Sequence, residues 1–316
     1  MPDQLHLRPH VSGILLAAGL AGAAIATARY LKGPVTLPAR LDLTPLHRGG
    51  SGSPLLLLHG IGAIWRVWTP VLDLLEPHHD VIAPTLRGHG GGLPLDDDVT
   101  PTLAALADGI EEDLDRLGLT EVHVVGNSLG GWLAIELARR GRARSVVLFS
   151  PAGAWRSQRR IDLTATAIQL SVGVSTRFAP HAEAVAANRA LRWLMLTGQV
   201  ADPSRVTPES LAANIRASAQ SPAVDALLRL LPQRTVDPLP SDHSYPIRLV
   251  WSTRDRVLPF EGFGVPMLAR LPGAELVHLG GAGHVPMSDD PATVAQLILQ
   301  VTQAVDAGAG CVSGGN

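Results

Sequence analysis

Short apolar runs alternate with helical patterns along most of the chain after about residue 40. Residues 55–58 form a run of four leucines between Pro54 and His59, which is typical of a strand buried on both faces. Strict alternation of strands and helices implies a parallel sheet with helices packed on both of its faces. The other predicted strands cover residues 80–83, 121–125, 145–149, 247–251 and 275–279, and the main predicted helices cover residues 66–76, 102–117, 129–140 and 291–305.

The alternation is interrupted once, between the predicted strands at 145–149 and 247–251. Residues 155–235 lack a convincing β pattern and show several short helical segments rich in alanine, leucine and arginine. The sequence therefore predicts an α/β fold with a mostly parallel, doubly wound sheet and an inserted helical cap. The predicted divisions are an apolar N-terminal segment, 1–33; a core, 34–154 and 239–305; the cap, 155–238; and a flexible tail, 306–316.

A run without charged residues covers residues 11–28, with Arg8 before it and Arg29 and Lys32 after it. Its length lies at the short end of a membrane-spanning helix, and its composition also fits the core of an export signal. A helix of a soluble fold is the third interpretation. We favour a membrane anchor or an export signal at residues 11–28, with a cytoplasmic location as the alternative, and the chemistry is sought outside residues 1–33.

The composition excludes several classes of partner and cofactor. The formal net charge is −2, and lysine and arginine form no long run, so the chain offers no basic face for nucleic acid. The one cysteine, Cys311, lies in the Gly/Ser/Ala tail, so neither a disulfide within the chain nor a Cys/His zinc cluster is possible. We predict no metal ion and no organic cofactor. The sequence gives no indication of the oligomeric state.

The strongest local feature is VHVVGNSLGG at residues 122–131, where a predicted strand runs directly into a predicted helix. Gly126, Ser128 and Gly130 form the pattern Gly-x-Ser-x-Gly. A sharp strand-to-helix turn strains the backbone of its central serine, and larger residues at the two glycines would collide with neighbouring segments. The helix N-terminus behind the serine favours a developing negative charge. A glycine-rich turn without function is the alternative, but the strand-to-helix context favours Ser128 as a nucleophile.

A serine hydroxyl needs a base, and the base needs a carboxylate that accepts a hydrogen bond from its imidazole. His284 lies in GGAGHVPMSDDP, a loop that directly follows the last predicted strand. Asp255 follows the strand at 247–251 and thus leaves the same edge of the sheet. A single histidine or aspartate is more often a surface or core residue, so the position of these two in the fold is what favours them. The competing carboxylates are Asp237, Asp242, Asp289 and Asp290.

These segments resemble the alpha/beta hydrolase family over roughly residues 40–305. The proposed nucleophile, acid and base follow one another in the family's order. LLLLHGIG at residues 55–62 resembles the strand and loop that supply part of the oxyanion hole, and RGHG at residues 87–90 resembles a turn after the next strand. The resemblance implies that the backbone N–H groups of Ile61 and Leu129 hold the oxyanion.

Three departures from the family's usual pattern bear on the chemistry. Thr85 stands where many members have an aspartate two residues before the arginine of RGHG, a position outside the usual catalytic scheme. The sequence HGIGAIW lacks the Gly-Pro-Gly extension that many carbon–carbon bond hydrolases carry after the same His-Gly. Members that act on epoxides or haloalkanes use an aspartate nucleophile, whereas this chain has Ser128.

The resemblance implies a serine hydrolase that cleaves a carboxylic ester through an acyl-enzyme on Ser128. The expected partner is a small, apolar ester. Four tryptophans fall in segments expected to border the site: Trp65, Trp68, Trp132 and Trp155. Our candidates for lining an apolar pocket are Trp65, Trp132 and Trp155. Packing in the core is the alternative for each of them.

Other functions stay open. The same triad could serve a carbon–carbon bond hydrolase, a thioesterase or a cofactor-free peroxidase-type enzyme. The fold could instead be a non-catalytic ligand-binding module, or a membrane-tethered partner protein with vestigial catalysis, because a fold alone does not decide function. A panel of substrates separates the enzymes from one another, and labelling of the serine separates them from a binding module.

Overall fold

The computed structural model describes residues 37–96 and 98–312, with side chains described as far as residue 308. The apolar run at 11–28 and its predicted association with a membrane therefore lie outside the described residues. Within those residues, no helix combines the length and the apolar character that crossing a bilayer requires.

One seven-stranded sheet forms the centre of the described part of the chain. Its strands are β1 (Leu46–Gly49), β2 (Ser53–Leu58), β3 (His79–Pro84), β4 (Val122–Asn127), β5 (Ala143–Phe149), β6 (Ile247–Ser252) and β7 (Glu275–Leu279). They lie in the order β1-β3-β2-β4-β5-β6-β7, and every neighbouring pair from β3 to β7 is parallel. The predicted mostly parallel α/β sheet is confirmed. The structure also contains an edge strand that was not predicted, β1, which pairs with β3 in antiparallel fashion.

Helices cover both faces of the sheet, and a helical cap is inserted between β5 and β6. The helices before the cap are α1 (Thr69–Leu75), α2 (Leu103–Arg116) and α3 (Leu129–Arg139). Those of the cap are α4 (Gln158–Phe178), α5 (Ala182–Ala187), α6 (Arg189–Leu196), α7 (Pro208–Ser218) and α8 (Pro222–Leu230), and those after it are α9 (Phe260–Leu268), α10 (Pro286–Asp289) and α11 (Pro291–Val312). The presence of the cap agrees with the sequence, while its predicted outer limits, 155 and 238, stay a prediction.

The leucines of β2 show how the centre of the sheet is buried on both faces. Leu55 and Leu57 belong to the core cluster under α1 and α11, whereas Leu56 and Leu58 belong to the cluster under α2 and α3. None of the four is more than 1% exposed. Successive side chains of a strand point to opposite faces, so a central strand needs an unbroken apolar run. Each buried leucine contributes about 1.5–3 kcal/mol to stability.

Helix α11 continues to Val312, through part of the predicted flexible tail at residues 306–316. The flexibility of the tail stays a prediction, but its first residue, Asp306, has side-chain partners in the sheet. Its carboxylate accepts hydrogen bonds from Ser53 at 2.5 Å and from Arg144 at 2.9 Å, which tie this part of the helix to the starts of β2 and β5. A local pattern of small residues does not show these partners, because Ser53 lies 253 positions earlier in the chain.

Cap helices α4 and α7 lie over the loop that follows β2. The hydroxyl of Ser218 donates to the carbonyl oxygen of Gly62 at 3.3 Å, and the side chain of Val172 approaches the same glycine. Leu41 and Leu43 pack against another part of α7. The cap thus covers the carboxyl end of β2, where the chemistry-bearing residues gather.

Candidate active site

Ser128 lies in the turn between β4 and α3, between the last residue of the strand and the first residue of the helix. Its backbone has φ 55° and ψ −118°, a sparsely populated conformation that costs about 1–3 kcal/mol. A hydrogen bond from Ser128 N to Phe149 O, at 3.1 Å, holds the turn. The hydroxyl therefore lies beyond the carboxyl end of β4 and at the N-terminus of α3, where N–H groups lack partners within the helix.

Three glycines leave the space that this turn needs. A Cβ on Gly126 would overlap the backbone of Gly130, and a Cβ on Gly130 would overlap the carbonyl of Leu58. A Cβ on Gly60 would lie only 3.1 Å from the Cβ of Ser128. The glycines of the motif therefore have a direct steric cause, because the strands and the helix approach each other more closely than a side chain allows.

His284 and Asp255 form a buried pair at the same edge of the sheet. His284 Nδ1 lies 2.8 Å from Asp255 Oδ2, and the two side chains are 8% and 0% exposed. The other carboxylate oxygen accepts hydrogen bonds from the backbone N–H groups of Val257 at 2.9 Å and Leu258 at 2.8 Å. A carboxylate fixed in this way keeps the imidazole proton on Nδ1 and leaves Nε2 as the basic nitrogen.

Asn127 connects the turn that carries Ser128 to the loop that carries His284. Its side-chain amide donates to the carbonyl oxygen of His284 at 2.9 Å and to that of Phe149 at 3.0 Å. In the described part of the chain, no hydrogen bond joins the hydroxyl of Ser128 to the ring of His284. Such bonds are often long without substrate and tighten when substrate binds. The sequence alone did not identify Asn127, because its place beside the serine is visible in the motif but its backbone partners are not.

The loop after β2 is fixed by His59, which is fully buried. Its Nε2 accepts a hydrogen bond from Leu86 N at 2.9 Å, so its Nδ1 carries the proton and donates to Gly60 O at 2.8 Å. Burial, and to a lesser degree the neighbouring His89, lowers the pKa of His59 to about 3. The ring is therefore neutral near pH 7, and it ties the loop that contains Gly60 to the turn at residues 86–89.

The predicted oxyanion donors belong to the two segments that border Ser128. Leu129 is the first residue of α3, so its N–H has no partner within the helix. Ile61 directly follows Gly60, which lies against Ser128. Their role as oxyanion donors stays a prediction.

The tryptophans predicted to line a pocket occupy different surroundings. Trp65 and Trp68 are buried in the core cluster on one face of the sheet, and Trp132 is buried in the cluster on the other face. Trp155 is half-buried, and its indole N–H donates to Gln158 Oε1 at 3.3 Å where the cap begins. Core packing accounts for the burial of the first three, while the role of Trp65, Trp132 and Trp155 in a substrate pocket stays a prediction.

The competing carboxylates after His284 have backbone partners. Asp289 accepts hydrogen bonds from Gly283 N and from the cap backbone, and Asp290 Oδ1 accepts one from Thr293 N at 3.1 Å, where α11 begins. Over the described residues, no three His, Cys, Asp or Glu side chains are grouped so as to hold a metal ion.

The chain belongs to the alpha/beta hydrolase family, whose model matches residues 55–297. It is similar to the epoxide hydrolase EphH of Mycobacterium tuberculosis, with 37% identity over 204 residues that cover 62% of this chain and 92% of that protein. It is also similar to the 2-hydroxy-6-oxo-2,4-heptadienoate hydrolase of Pseudomonas putida, with 39% identity over 120 residues that cover 35% of this chain and 41% of that protein. A thermophilic esterase from Thermogutta terrifontis has the same fold, with a TM-score of 0.64 and 22% identity, covering 85% of this chain and 99% of that one. The chain is therefore an enzyme of the hydrolase class.

Proposed function

We propose that the protein hydrolyses carboxylic esters through an acyl-enzyme intermediate on Ser128. The proposal is carried by one juxtaposition: a serine in a strained turn at a helix N-terminus shares a sheet edge with a buried histidine–carboxylate pair. Acyl transfer needs a nucleophile, a base and a group that orients the base, and these three residues supply them.

In the first step, His284 Nε2 takes the proton of Ser128 while Oγ attacks the carbonyl carbon of the ester. The carbonyl π electrons move onto oxygen, and the N–H groups of Ile61 and Leu129 hold the resulting anion. When the anion collapses, the bond to the alkoxy group breaks and His284 returns the proton to it, which releases the alcohol. Water, activated by the same histidine, then attacks the acyl-enzyme and releases the acid. Asp255 stabilises the imidazolium in both steps.

The nucleophile separates this proposal from the activity in the name of the mycobacterial relative, an epoxide hydrolase. If a serine opened an epoxide, Oγ would become part of an alkyl ether, which has no carbonyl for water to attack. A carboxylate nucleophile would give an ester that water can cleave, and family members that open epoxides carry aspartate at this position. We therefore expect Ser128 to support no turnover of epoxides.

Carbon–carbon bond hydrolysis is the second candidate. It is favoured by the similarity to 2-hydroxy-6-oxo-2,4-heptadienoate hydrolase, at 39% identity over 120 residues. The sequence HGIGAIW after β2 speaks against it, because many such enzymes extend this loop with Gly-Pro-Gly. Ester hydrolysis therefore ranks first.

Reaction with a fluorophosphonate probe tests the proposal directly, because the probe bonds to activated serines. We expect the probe on residue 128 of the wild type, no probe on Ser128→Ala, and much slower reaction of His284→Ala. p-Nitrophenyl esters of increasing chain length, a thioester, an epoxide and a 2-hydroxy-6-oxo-dienoate then separate the reaction classes. A folded wild type that does not react would overturn the proposal in favour of a ligand-binding module, and turnover of the dienoate alone would favour the second candidate.

We also propose that residues 11–28 bring the protein to a membrane, on the basis of their uncharged apolar sequence. The esters it meets there would be lipid-like. Cell fractionation of the full chain and of a chain without residues 1–33 tests this. A shift from the membrane fraction to the soluble fraction supports the proposal, and recovery of both proteins in the soluble fraction overturns it.

A further inference from the structure

Asp289 is a buried carboxylate, 6% exposed, whose hydrogen bonds join two separate parts of the fold. Its Oδ1 accepts from Ala201 N at 3.0 Å and Asp202 N at 2.9 Å, both in the cap. Its Oδ2 accepts from Ala201 N at 2.9 Å and from Gly283 N at 2.8 Å, in the loop that follows β7. Over the described residues no ion pair involves this carboxylate, so backbone N–H groups carry the stabilisation of its charge.

The cap and the histidine loop meet at this point along a continuous seam, formed by residues 199–202 and 283–285. Val285 N donates to Gln199 O at 2.9 Å. A Cβ on Gly283 would lie 2.8 Å from the backbone of Val200, so the two segments touch without an intervening side chain. The guanidinium of Arg205, also in the cap, donates to the backbone carbonyl of Asp289.

His284 lies in the middle of this seam and is fixed by three groups. Asp255 holds its ring and Asn127 holds its carbonyl oxygen. The backbone N–H of the preceding residue, Gly283, is held by Asp289. Of these three groups, Asp289 is the one whose carboxylate is also hydrogen-bonded to the cap.

We propose that Asp289 is a positioning residue that makes the placement of His284 depend on the seating of the cap. The proposal rests on the proposed function, because it takes His284 as the base. When residues 199–202 lie on the histidine loop, the carboxylate holds the N–H of Gly283, one residue before His284, in place. When the cap turn lifts, the carboxylate loses two of its three backbone donors, and the loop loses its support.

The test compares Asp289→Asn with Asp290→Asn. Asparagine keeps one acceptor oxygen but places an NH2 group against a backbone N–H, so part of the seam is lost. Asn is a good helix cap, so the change at Asp290 should leave the protein unaffected. We expect Asp289→Asn to react with the fluorophosphonate probe roughly 10–100-fold more slowly than wild type, the size expected when a base is misplaced by about 1 Å. Asp290→Asn should react at the wild-type rate.

Amide hydrogen exchange, measured by mass spectrometry, gives a readout that does not depend on activity. Exchange in Asp289→Asn should be faster in residues 199–202 and in residues 281–285 together. A lower melting temperature with an unchanged rate of probe reaction would show a merely structural role and overturn the proposal. Faster exchange in one segment alone would overturn the coupling.

A second variant, Gly283→Ala, crowds the same seam from the loop side and leaves the carboxylate itself in the sequence, and it should reproduce both effects. It decides the matter if Asp289→Asn does not fold. If folded wild type does not react with the probe at all, the proposed function fails, while the exchange data still show whether Asp289 joins the two segments.

Discussion

The sheet carries serine, histidine and aspartate at both of its ends, and the two groups differ in how their side chains are hydrogen-bonded. At the carboxyl end lie Ser128, Asp255 and His284, here named the carboxyl-edge site. At the amino end lies a second group, here named the amino-edge cluster, which consists of Ser53, His79, His123, Ser145, Thr302 and Asp306.

In the amino-edge cluster, every ring nitrogen of the two histidines is engaged. His79 contacts Ser53 at 2.9 Å and Thr302 at 2.8 Å. His123 contacts Ser145 at 2.7 Å and Asp306 at 3.1 Å. No nitrogen is left to take a proton from a substrate, and Ser53 already donates its own proton to Asp306 at 2.5 Å.

The carboxyl-edge site uses the same residue types but leaves one imidazole nitrogen available for a substrate proton. His284 binds Asp255 through Nδ1, which leaves Nε2 available. Ser128 is held in a strained turn at a helix N-terminus, whereas Ser53 begins an ordinary strand. The two groups therefore share their residue types, and the proposed triad differs from the amino-edge cluster in the available Nε2 of His284 and in the strained turn that carries Ser128.

The largest contrast is expected between the two serines. Ser128→Ala should lower kcat/KM for the best ester by roughly 10⁴–10⁶-fold, because the nucleophile is lost. Ser53→Ala should leave kcat/KM near that of the wild type. Steady-state kinetics on both variants measures the contrast. If Ser53→Ala abolished activity while the protein stayed folded, the assignment of the two ends would be wrong.

The two aspartates should separate activity from stability. Asp255→Asn should lower kcat by about 10³–10⁴-fold, since the imidazole loses the partner that sets its tautomer. Asp306→Asn should instead lower the free energy of unfolding by about 1–3 kcal/mol, because it weakens the hydrogen bonds to Ser53 and Arg144. The loss stays moderate because Asp306 is about one-third exposed and its pairing is partly screened. Urea unfolding and kinetics on both proteins test this, and equal loss of kcat in the two variants would contradict it.

Acid should destabilise the protein through its buried histidines. Burial lowers the pKa of His59 to about 3 and that of His89 to about 4, and it also lowers the pKa of His79 and His123. The unfolded chain binds protons below about pH 6.5 that the folded chain does not, so stability is lost as the pH falls through that value. We expect a loss of roughly 2–4 kcal/mol between pH 7.5 and pH 5.

A neighbouring pair of histidines provides the control for this pH dependence. His79 is buried and His78 is exposed. Unfolding in urea at both pH values should show a smaller loss of stability in His79→Gln than in wild type, and an unchanged loss in His78→Gln. Identical pH dependence in all three proteins would exclude His79 as a contributor.

The smallest effect is expected at Thr302, which contacts His79 Nε2 from α11. Thr302→Val keeps the shape of the side chain and removes one hydrogen bond, which should lower the free energy of unfolding by about 0.5–1.5 kcal/mol. The rate of probe reaction at Ser128 should not change. A loss of reactivity would show that the two ends of the sheet are coupled.

The sequence predicted the parts of this molecule that local patterns determine. Continuous apolar runs located the parallel strands, and the Gly-x-Ser-x-Gly turn located Ser128. Strand β1 was missed because LHRG has no apolar pattern and is held by its neighbours, including an ion pair between Arg48 and Asp80. The contacts of Asn127 and Asp289 were missed because these side chains bind backbone groups supplied by distant segments.

The long reach of Asp306 also has a consequence for the order of events during synthesis. Its partner Ser53 is made 253 residues earlier. Contacts of such separation form late, because closing a long loop costs entropy before the contact is gained. Until residue 306 has emerged from the ribosome, Ser53 and His123 at the amino ends of the central strands lack this carboxylate. That exposed strand end is where we would look for the binding of a chaperone to the incomplete chain.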